Sequence, residues 1–470
     1  MDERDLAYAG IGRQAELVRD GDVSSRELVE LCLERISRFD SELNAFRVTW
    51  PERALAGADE ADRRRAAGES APLLGVPIAV KDVSDVAGEV TTFGTDGFDR
   101  AAEADSEIVR RLREAGVVPV GKTNAPELAI CGFTESKSWG VTRNPWDTSR
   151  TPGGSSGGSG AAVAAGLVGA ATASDGAGSI RIPAANCGLF GLKPQRGRIS
   201  LAPMRAHWHG MSVNGCETRT VRDTALFLDV TAGAAAGDAD TPPPPDRPYV
   251  EAAASAPDRL RIAVSTAPPR SGAPAIVDDV VRAAVASTAE LLRGLGHDVR
   301  QADPPYGLIG NGVVGLYLGG IRDDVDGVPQ AERLESRTRG FGRLGALQGR
   351  GAVRRALKAM PKHVARMDTF FRDHDVLLCP TVGSPPIEVC RWEQSGAFRT
   401  LIGMSRVYPF TGAWNYTGQP AAAVPAGLTP DGLPLSVQLV GRPNDEATLL
   451  SLAAQIESER PWADRRPPLE

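Results

Sequence analysis

The sequence predicts an α/β fold with one large hydrophobic core. From residue 75 onward, apolar strand-like runs alternate with amphipathic helical segments, a rhythm typical of α/β proteins. The composition is that of a globular chain, because 42% of the 470 residues are hydrophobic and 24% are charged. The length alone would suggest several domains, but large α/β enzymes often keep one core. We therefore expect a single folded unit over residues 1–470.

The N-terminal part, residues 1–70, is predicted to be a helical layer on that unit. Ser24 and Glu27 match a capping box, the pairing of side chains that starts many helices. Apolar residues follow them at the spacing of one helix face, so the layer should pack on a larger body.

Residues 75–230 are predicted to form the core of the fold. Glycine and polar residues bound each apolar run there, as expected for alternating strands and helices. The expected elements are a strand over 76–80 that ends at Lys81, a helix from Asp105 or Ser106 to Ala115, a strand over 117–120, a helix over 160–169 and a strand over 170–173.

Two segments have the composition of linkers, but only one is expected to be a linker. Residues 151–160 are rich in Gly and Ser, yet a small-residue helix and a strand follow at once, which indicates a tight turn inside the core. Residues 231–248, with four consecutive prolines, are the predicted linker loop. Beyond it, residues 249–375 are predicted to be mostly helical and to contribute to a substrate pocket. Residues 376–460 should complete the core with strands and a helix.

Charge and composition exclude several classes of function. The net charge of −6 and the lack of a basic block argue against nucleic-acid binding. The acidic N-terminus does not resemble a secretory signal, and no window reaches 18 consecutive apolar residues. The six cysteines show no CxxC spacing, so no metal site is indicated, and reduced thiols in a cytoplasmic protein are expected. No cofactor is indicated either.

A serine at the end of the 170–173 strand is the first candidate for chemistry. Three small residues, Gly176, Ala177 and Gly178, separate Asp175 from Ser179. Their backbone N–H groups can converge on one point and form an oxyanion hole beside an exposed serine. The alternative is an ordinary strand-to-loop turn with an incidental serine.

A rival nucleophile lies in the glycine-rich segment. Ser156 satisfies the G-x-S-x-G pattern of a nucleophile elbow, which requires a histidine base. None of the five histidines stands in a suitable strand-end position after an acid. His207 and His209 resemble a metal pair, but no further ligand cluster accompanies them.

Without a usable histidine, a lysine becomes the candidate base. Lys81 ends an apolar strand in a chain with only six lysines, and burial lowers the pKa of a lysine amine. The alternative for Lys81 is an ordinary ion pair with Asp82 or Asp85. Lys122, at the end of the next predicted strand, is the second candidate.

Several separated motifs, taken in order, resemble the amidase signature family. They span nearly the whole chain, from about residue 5 to residue 460, and match least over 230–375. The motifs are Gly75-Val-Pro-Ile-Ala-Val-Lys-Asp82, Gly121-Lys-Thr-Asn124, Trp139-Gly-Val-Thr-Arg-Asn-Pro-Trp146, Gly153-Gly-Ser-Ser-Gly-Gly158, Asp175-Gly-Ala-Gly-Ser-Ile-Arg181 and Asn415-Tyr-Thr-Gly-Gln-Pro420.

The resemblance implies a fold and a set of catalytic roles. The fold is the amidase signature fold, a central mixed and twisted β-sheet covered by helices on both faces. The catalytic residues implied are Lys81, Ser155 and Ser179, a Ser-cis-Ser-Lys triad in which Ser179 is the nucleophile and Ser155 relays its proton to Lys81. The motifs also imply supporting roles: Gly176, Ala177 and Gly178 for the oxyanion hole, and Ser156, Asp175 and Arg181 around the triad.

Two details refine the resemblance. Gly176 and Ala177 depart from the residues usual in the family segment, but a backbone donor survives an alanine. Together with later motifs, this variant resembles bacterial amidases of the 6-aminohexanoate-cyclic-dimer hydrolase type.

The expected function is hydrolysis of an amide bond through an acyl-enzyme, and the bond could belong to a linear, aryl or cyclic amide, a carbamate or an ester. The expected partner is a small-molecule amide, with no nucleic acid and no membrane, and the chain could assemble as a homodimer. An amidase subunit of a tRNA-dependent amidotransferase is the alternative, disfavoured by Ile182-Pro183, where those subunits usually carry glutamine. A catalytically inactive binding module is a third possibility, disfavoured by the intact triad.

Substrate contacts are the least determined part of the prediction. The loop residues expected to contact substrate are Cys131, Gly132, Phe133 and Thr134. Four aromatic residues are candidate pocket walls or core residues: Tyr306, Tyr317, Trp392 and Trp414.

Overall fold

Helices and strands alternate over most of the computed structural model, which describes residues 2–270 and 273–469. The helices of these residues are α1 Glu3–Ala7, α2 Gly10–Asp20, α3 Ser25–Leu43, α4 Pro51–Ala66, α5 Glu107–Glu114, α6 Gly157–Ala164, α7 Arg181–Cys187, α8 Val221–Thr231, α9 Tyr249–Ala253, α10 Asp279–Gly294, α11 Ile309–Gly327, α12 Ser336–Asp373, α13 Ala397–Val407, α14 Gly412–Thr417 and α15 Glu446–Glu459. The strands are β1 Phe46–Thr49, β2 Pro77–Lys81, β3 Val118–Thr123, β4 Glu135–Ser136, β5 Gly140–Val141, β6 Ala170–Asp175, β7 Gly191–Lys193, β8 Val213–Thr218, β9 Arg261–Val264, β10 Asp298–Gln301, β11 Val376–Pro380, β12 Ala421–Leu428 and β13 Pro434–Gly441.

Two mixed sheets form the centre of the molecule. The first has the order β1-β3-β2-β6-β8, in which β2 is parallel to both β3 and β6 and the two edge strands are antiparallel to their neighbours. The second has the order β10-β9-β11-β13-β12-β7. The sheets meet where the N–H of Phe190 donates to the carbonyl of Thr218 at 3.1 Å. The α/β class and the mixed sheet predicted from the sequence are confirmed.

Helices cover both faces of these sheets. Successive side chains of a strand point to opposite faces, and in β2 Ile78 and Val80 pack in one apolar cluster while Ala79 packs in another. Helices α5, α8 and α15 contribute to the first cluster, and α3, α4 and α6 contribute to the second. A third cluster joins α11, α12 and α14 to the opposite face of β11. The central strands are therefore buried on both sides, as expected for α/β proteins.

The N-terminal layer differs from its prediction in one respect. The capping box of Ser24 and Glu27 is present at the start of α3. However, β1 interrupts the helices and pairs antiparallel with β3, so the layer supplies an edge strand to the first sheet. Four residues are too few to show a clear strand period beside longer helices.

Other elements also depart from the predictions. The region 249–375, predicted to be mostly helical, contains the parallel strands β9 and β10 as well as four helices. Residues 232–248, which cover most of the predicted linker, hold no helix or longer strand, and one bridge there joins Gly233 to Ile199. Within the described residues, no helix is long and apolar enough to cross a membrane.

Candidate active site

Two parallel strands deliver the candidate catalytic residues to one edge of the first sheet. Lys81 is the last residue of β2, and Asp175 is the last residue of β6. After Asp175 the chain turns through residues 176–180 and enters α7. Because β2 and β6 are parallel, their carboxyl ends lie at the same edge, where α/β proteins commonly place their sites.

The amine of Lys81 lies in a ring of serine hydroxyls. Its Nζ is hydrogen-bonded to Oγ of Ser155 at 2.8 Å, Oγ of Ser156 at 2.9 Å and Oγ of Ser174 at 2.9 Å. The side chain is fully buried. Burial lowers the pKa of Lys81 to about 7, although Asp175 and Glu217 act in the opposite direction. An amine in this setting can exist in its neutral form near neutral pH.

The glycine-rich segment is a tightly packed turn of the core, as predicted. A Cβ added at Gly154 would lie 2.6 Å from the backbone N of Phe133, and one at Gly158 would lie 2.5 Å from the backbone of Asn124. Only glycine allows such close approach of backbone to backbone. The peptide bond between Gly154 and Ser155 is cis. Helix α6 begins immediately after this turn.

The second serine of the segment, Ser156, has a different environment from Ser155. It is fully buried, and its Oγ is also hydrogen-bonded to the backbone of Ser174 at 3.3 Å. Ser155 lines a cavity next to the candidate site, whereas Ser156 lines neither cavity there. The nearest histidine in those linings, His207, is hydrogen-bonded to Ser212 and Asp324. The arrangement does not support the nucleophile-elbow hypothesis for Ser156.

The second candidate base, Lys122, is occupied elsewhere. Its Nζ forms a buried ion pair with Asp82 at 3.1 Å and donates to Oγ1 of Thr91 at 2.8 Å. The ion pair considered for Lys81 is thus made by Lys122 instead. The pKa of Lys122 is lowered by burial, with Asp82 opposing the effect. Lys81 is the lysine that reaches the serines.

A buried network holds the turn that carries Ser179. Asp175 accepts two hydrogen bonds from Arg181, both at 3.0 Å, and another from Nδ2 of Asn415 at 2.7 Å. Arg181 also donates to Oδ1 of Asn415 at 2.6 Å and to Oε1 of Gln438 at 2.8 Å. Burial alone would raise the pKa of Asp175, but Arg181 and Asn415 hold it well below its usual value. Asp175 is therefore an anion that fixes the turn.

The backbone amides of this turn are not equivalent. The N–H of Gly178 donates to Oδ1 of Asp175 at 2.7 Å. The prediction that Gly178 contributes a free donor to the oxyanion hole therefore needs correction, because Asp175 already occupies that donor. Among the described residues, no protein acceptor is seen for the amides of Gly176, Ala177 and Ser179. Three donors remain available beside the Ser179 hydroxyl.

Two cavities meet at Ser179. The first lies between the turn and helices α11, α13 and α14. The second reaches Ser155, Ser174 and Gly176. Ser155 and Ser179 therefore open on a common space, although no hydrogen bond joins their hydroxyls in the described contacts.

The predicted substrate-contact residues are only partly found in these cavities. Cys131 and Gly132 line the first cavity, as does Tyr317. Phe133 and Thr134 do not: Phe133 packs against Trp392 inside the core with its ring tilted, and Thr134 donates to the carbonyl of Gly153 at 2.9 Å. The remaining aromatic candidates, Tyr306, Trp392 and Trp414, are buried in the third apolar cluster.

Several residues at the site were missed by the sequence reasoning. Ser174 completes the hydroxyl ring around Lys81, and its position directly before Asp175 was the available signal. Trp208 lines both cavities, but nothing in its local sequence indicated this. The apolar wall from α11, α13 and the residue after α13 includes Val313, Val314, Leu401, Met404 and Tyr408. These two helices lie far from Ser179 along the chain, with α12 between them, and only tertiary packing brings them to Ser179.

Comparisons with known proteins identify the family of the chain. The sequence model of the Amidase family matches residues 27–450. A protein of Mycobacterium tuberculosis (strain ATCC 25618 / H37Rv) named "Putative amidase AmiB2" is 51% identical, and the match covers 99% of each chain.

Two solved structures share the fold. That of 6-aminohexanoate cyclic dimer hydrolase complexed with substrate has a TM-score of 0.88 and 33% identity, and covers 98% of this chain and 99% of that one. That of a bacterial aryl acylamidase of the amidase signature enzymes has a TM-score of 0.86 and 26% identity, and covers 97% and 96% of the two chains. The resemblance and the fold predicted from the sequence motifs are confirmed.

Proposed function

This chain belongs to the amidase family and is a hydrolase of carbon–nitrogen bonds, and on that premise we propose that it forms an acyl-enzyme on Ser179 with Ser155 and Lys81 as its proton relay. The observation that carries the proposal is the buried Lys81 amine, which lies 2.8 Å from the hydroxyl of Ser155, a residue that lines the same cavity as Ser179. A buried amine with a pKa of about 7 can accept a proton at neutral pH.

The donor count around Lys81 supports the direction of the relay. A neutral amine donates two hydrogen bonds and accepts one through its lone pair. With three hydroxyls in contact, at least one of them donates to Nζ. Ser156 does not line the cavity that contains Ser179, whereas Ser155 and Ser174 both do. Of these two we assign the relay to Ser155, the position that the resemblance to the family implies.

Acylation then follows the usual course for an activated serine. Oγ of Ser179 attacks the carbonyl carbon of the amide as its proton moves to Ser155 and the proton of Ser155 moves to Lys81. The negative charge on the carbonyl oxygen is stabilised by the amides of Gly176, Ala177 and Ser179. Hydrogen bonds of a relay often tighten only when substrate is bound, so Ser155 and Ser179 need not be bonded in the free enzyme.

Collapse of the intermediate breaks the carbon–nitrogen bond. The leaving nitrogen receives its proton through Ser155, which returns Lys81 to its neutral form. Water then attacks the ester on Ser179 while the same relay accepts its proton. As the bond between the acyl carbon and Oγ of Ser179 breaks, the relay returns this proton to Oγ, and the acid is released. Atoms and charges balance with water as the only co-substrate, and no metal or redox group is needed.

We infer that the substrates are small-molecule amides, linear, aryl or cyclic. The similarity to a cyclic-dimer hydrolase and to an aryl acylamidase supports this range, and carbamates or esters fit the same acyl chemistry. The apolar first cavity gives room for a medium-sized uncharged group.

Matched alanine variants of three serines test the proposal. On an acyl p-nitroanilide, Ser179→Ala should abolish turnover, and Ser155→Ala should lower kcat by about 10²-fold or more, because a relay group of this kind contributes roughly 10²–10⁴-fold. Ser156→Ala is the control, since it removes one neighbour of Lys81 but no step of the relay, and it should cost less than Ser155→Ala. Hydrolysis by Ser179→Ala at the wild-type rate would refute the assignment.

A further inference from the structure

Two cavities open on Ser179, and one large side chain lies between them. The first and second cavities share three lining residues: Ala129, Ser179 and Trp208. Ala129 is a small residue on the rim, and Ser179 is the nucleophile itself. Trp208 is therefore the one large side chain among the described residues that separates the two spaces.

The two cavities have different chemistry. The described residues that line the first include Val313, Val314 and Met404, and none of them is Asp, Glu, Lys, Arg or His. The second cavity also has apolar lining residues, among them Phe93, Phe98 and Met204, but it contains His207, Asp323 and Asp324 in addition. An uncharged apolar group fits the first cavity, whereas the second can hydrogen-bond a polar group.

The proton relay opens on only one of these cavities. Of the three serines around Lys81, Ser155 and Ser174 line the second cavity, and none lines the first. The group that must receive a proton when the amide breaks is the leaving nitrogen, so this nitrogen has to lie on the side of Ser155. The acyl group, on the other side of the carbonyl carbon, is then directed into the first cavity.

Trp208 is held rigidly enough to act as a wall. Its Nε1 donates to Oδ2 of Asp324 at 2.6 Å, and its ring lies edge-on to Tyr317 with centroids 5.2 Å apart. The indole packs closely against two glycines: a Cβ added at Gly320 would lie 2.5 Å from it, and one added at Gly176 would lie 2.7 Å from it. The indole therefore packs directly on the turn that carries the oxyanion donors. Its own backbone has a left-handed φ of 48°, and the side chain is 6% exposed.

We propose that Trp208 is the specificity-determining residue that separates an apolar acyl site, lined by α11 and α13, from a leaving-group site next to Ser155 that contains polar and charged side chains. This inference rests on the proposed function, because it assumes that Ser155 protonates the leaving nitrogen. It assigns the substrate class as amides of an uncharged apolar acid. The size of the acyl group and the size of the leaving group are therefore limited independently of each other.

Two space-filling variants test the assignment of the sides. Val313 lines only the first cavity, and Leu201 lines only the second. The substrates are two series: p-nitroanilides with acyl chains from acetyl to decanoyl, and hexanoyl amides whose leaving group is ammonia, aniline or a bulky naphthylamine.

Val313→Phe should lower kcat/KM for long acyl chains by about 10-fold or more relative to acetyl, and should leave the ranking of leaving groups unchanged. Leu201→Phe should lower kcat/KM for bulky leaving groups relative to ammonia, and should leave the ranking of acyl chains unchanged. If Val313→Phe discriminated by leaving group, or Leu201→Phe by acyl chain, the assignment of the cavities would be overturned.

A further pair of variants tests the wall itself. Trp208→Ala joins the two cavities, so it should reduce discrimination by acyl length and by leaving-group size together. Trp208→Phe retains a ring against Gly176 and Gly320, and should keep both selectivities. Equal selectivity of Trp208→Ala and the wild type would contradict the proposal, and the two space-filling variants still decide the sides if Trp208→Ala does not fold.

The failure of this inference can be distinguished from failure of the proposed function. An alkyl fluorophosphonate should label Ser179 in the wild type and in the variants at positions 201 and 313. If Ser179 were labelled but the variants at positions 201 and 313 kept the selectivity of the wild type, only the inference about the two cavities would fail. Lack of labelling and of amide turnover in the wild type would defeat the proposed function.

Discussion

At the scale of single residues, the setting of Lys81 predicts the pH dependence of the reaction. The amine must be neutral to accept a proton, and burial lowers its pKa to about 7. Values of kcat/KM should therefore fall about tenfold per pH unit below this pKa and level off above it. Lys81→Arg should be inactive, because a guanidinium does not give up its proton at any working pH.

The measurement is a pH–rate profile from about pH 5 to 9 on a neutral anilide, with the thermal unfolding of each variant as a control for folding. A flat profile over this range, or an active Lys81→Arg variant, would exclude Lys81 as the base.

Glu217 is a second buried ionisable residue near the site. It is fully buried on β8, and neither carboxyl oxygen has a hydrogen-bond partner among the described residues. Burial raises the pKa of Glu217 well above its usual value, with Lys81 opposing the effect. The folded state therefore retains a proton that the unfolded state loses above its ordinary pKa. Stability from this group is greatest in acid and is lost as the pH rises from the unfolded pKa to the folded one.

Two variants separate the effect of Glu217 titration from the cost of burying a polar group without a partner. Glu217→Gln removes the titration but still buries a polar group without a partner, so its unfolding free energy should decline less with pH than that of the wild type. Glu217→Leu also removes the unpaired polar group and should be more stable than Glu217→Gln by about 1–3 kcal/mol. Denaturant unfolding at two pH values measures both effects. A Glu217→Leu variant that is less stable than Glu217→Gln would contradict the conclusion that the Glu217 carboxyl is unpaired.

At the scale of elements, the turn between β6 and α7 is fixed by residues from the other end of the chain. Arg181 joins Asp175 to Asn415 of α14 and Gln438 of β13. Arg181→Lys keeps the charge but loses the forked geometry. Because a shift of about 1 Å in a catalytic group can cost roughly 10²-fold, we expect kcat to fall by about this factor with a smaller change in KM.

Steady-state kinetics of Arg181→Lys test this expectation, and Lys358→Arg on the outside of α12 is a control for the exchange of the two cations. Unchanged kcat in Arg181→Lys would show that the turn keeps its shape without the fork.

The elements also show what a single sequence can predict. Strands β2, β3 and β6 are apolar runs ended by glycine or polar residues, and the sequence located each within a few residues. Strand β8 was missed, because Val213-Asn-Gly-Cys-Glu-Thr218 alternates poorly and carries Asn, Gly and Glu into a buried sheet. Tertiary pairing with β6, and not local preference, makes it a strand.

At the scale of the whole molecule, the site lies where the two halves of the chain meet. Lys81 and Asp175 end strands of the first sheet, while Thr411, Asn415 and Gln438 from the C-terminal half hold the turn that follows Asp175. The proposed catalytic residues Lys81, Ser155 and Ser179 could be named from the sequence because their motifs are local, and their roles stay predictions. The pocket could not, because Trp208 and Val313 reach Ser179 only through packing between distant segments. The expected homodimer and the division into segments stay predictions.

The central claim is that Ser179 carries the acyl group during turnover. Rapid acid quenching during steady-state hydrolysis of an acyl p-nitroanilide, followed by protease digestion and mass spectrometry, tests it most directly. The account predicts the acyl mass on the peptide that contains Ser179 and on no other peptide. An acyl group on the peptide that contains Ser155 and Ser156, or turnover without any acylated peptide, would contradict it.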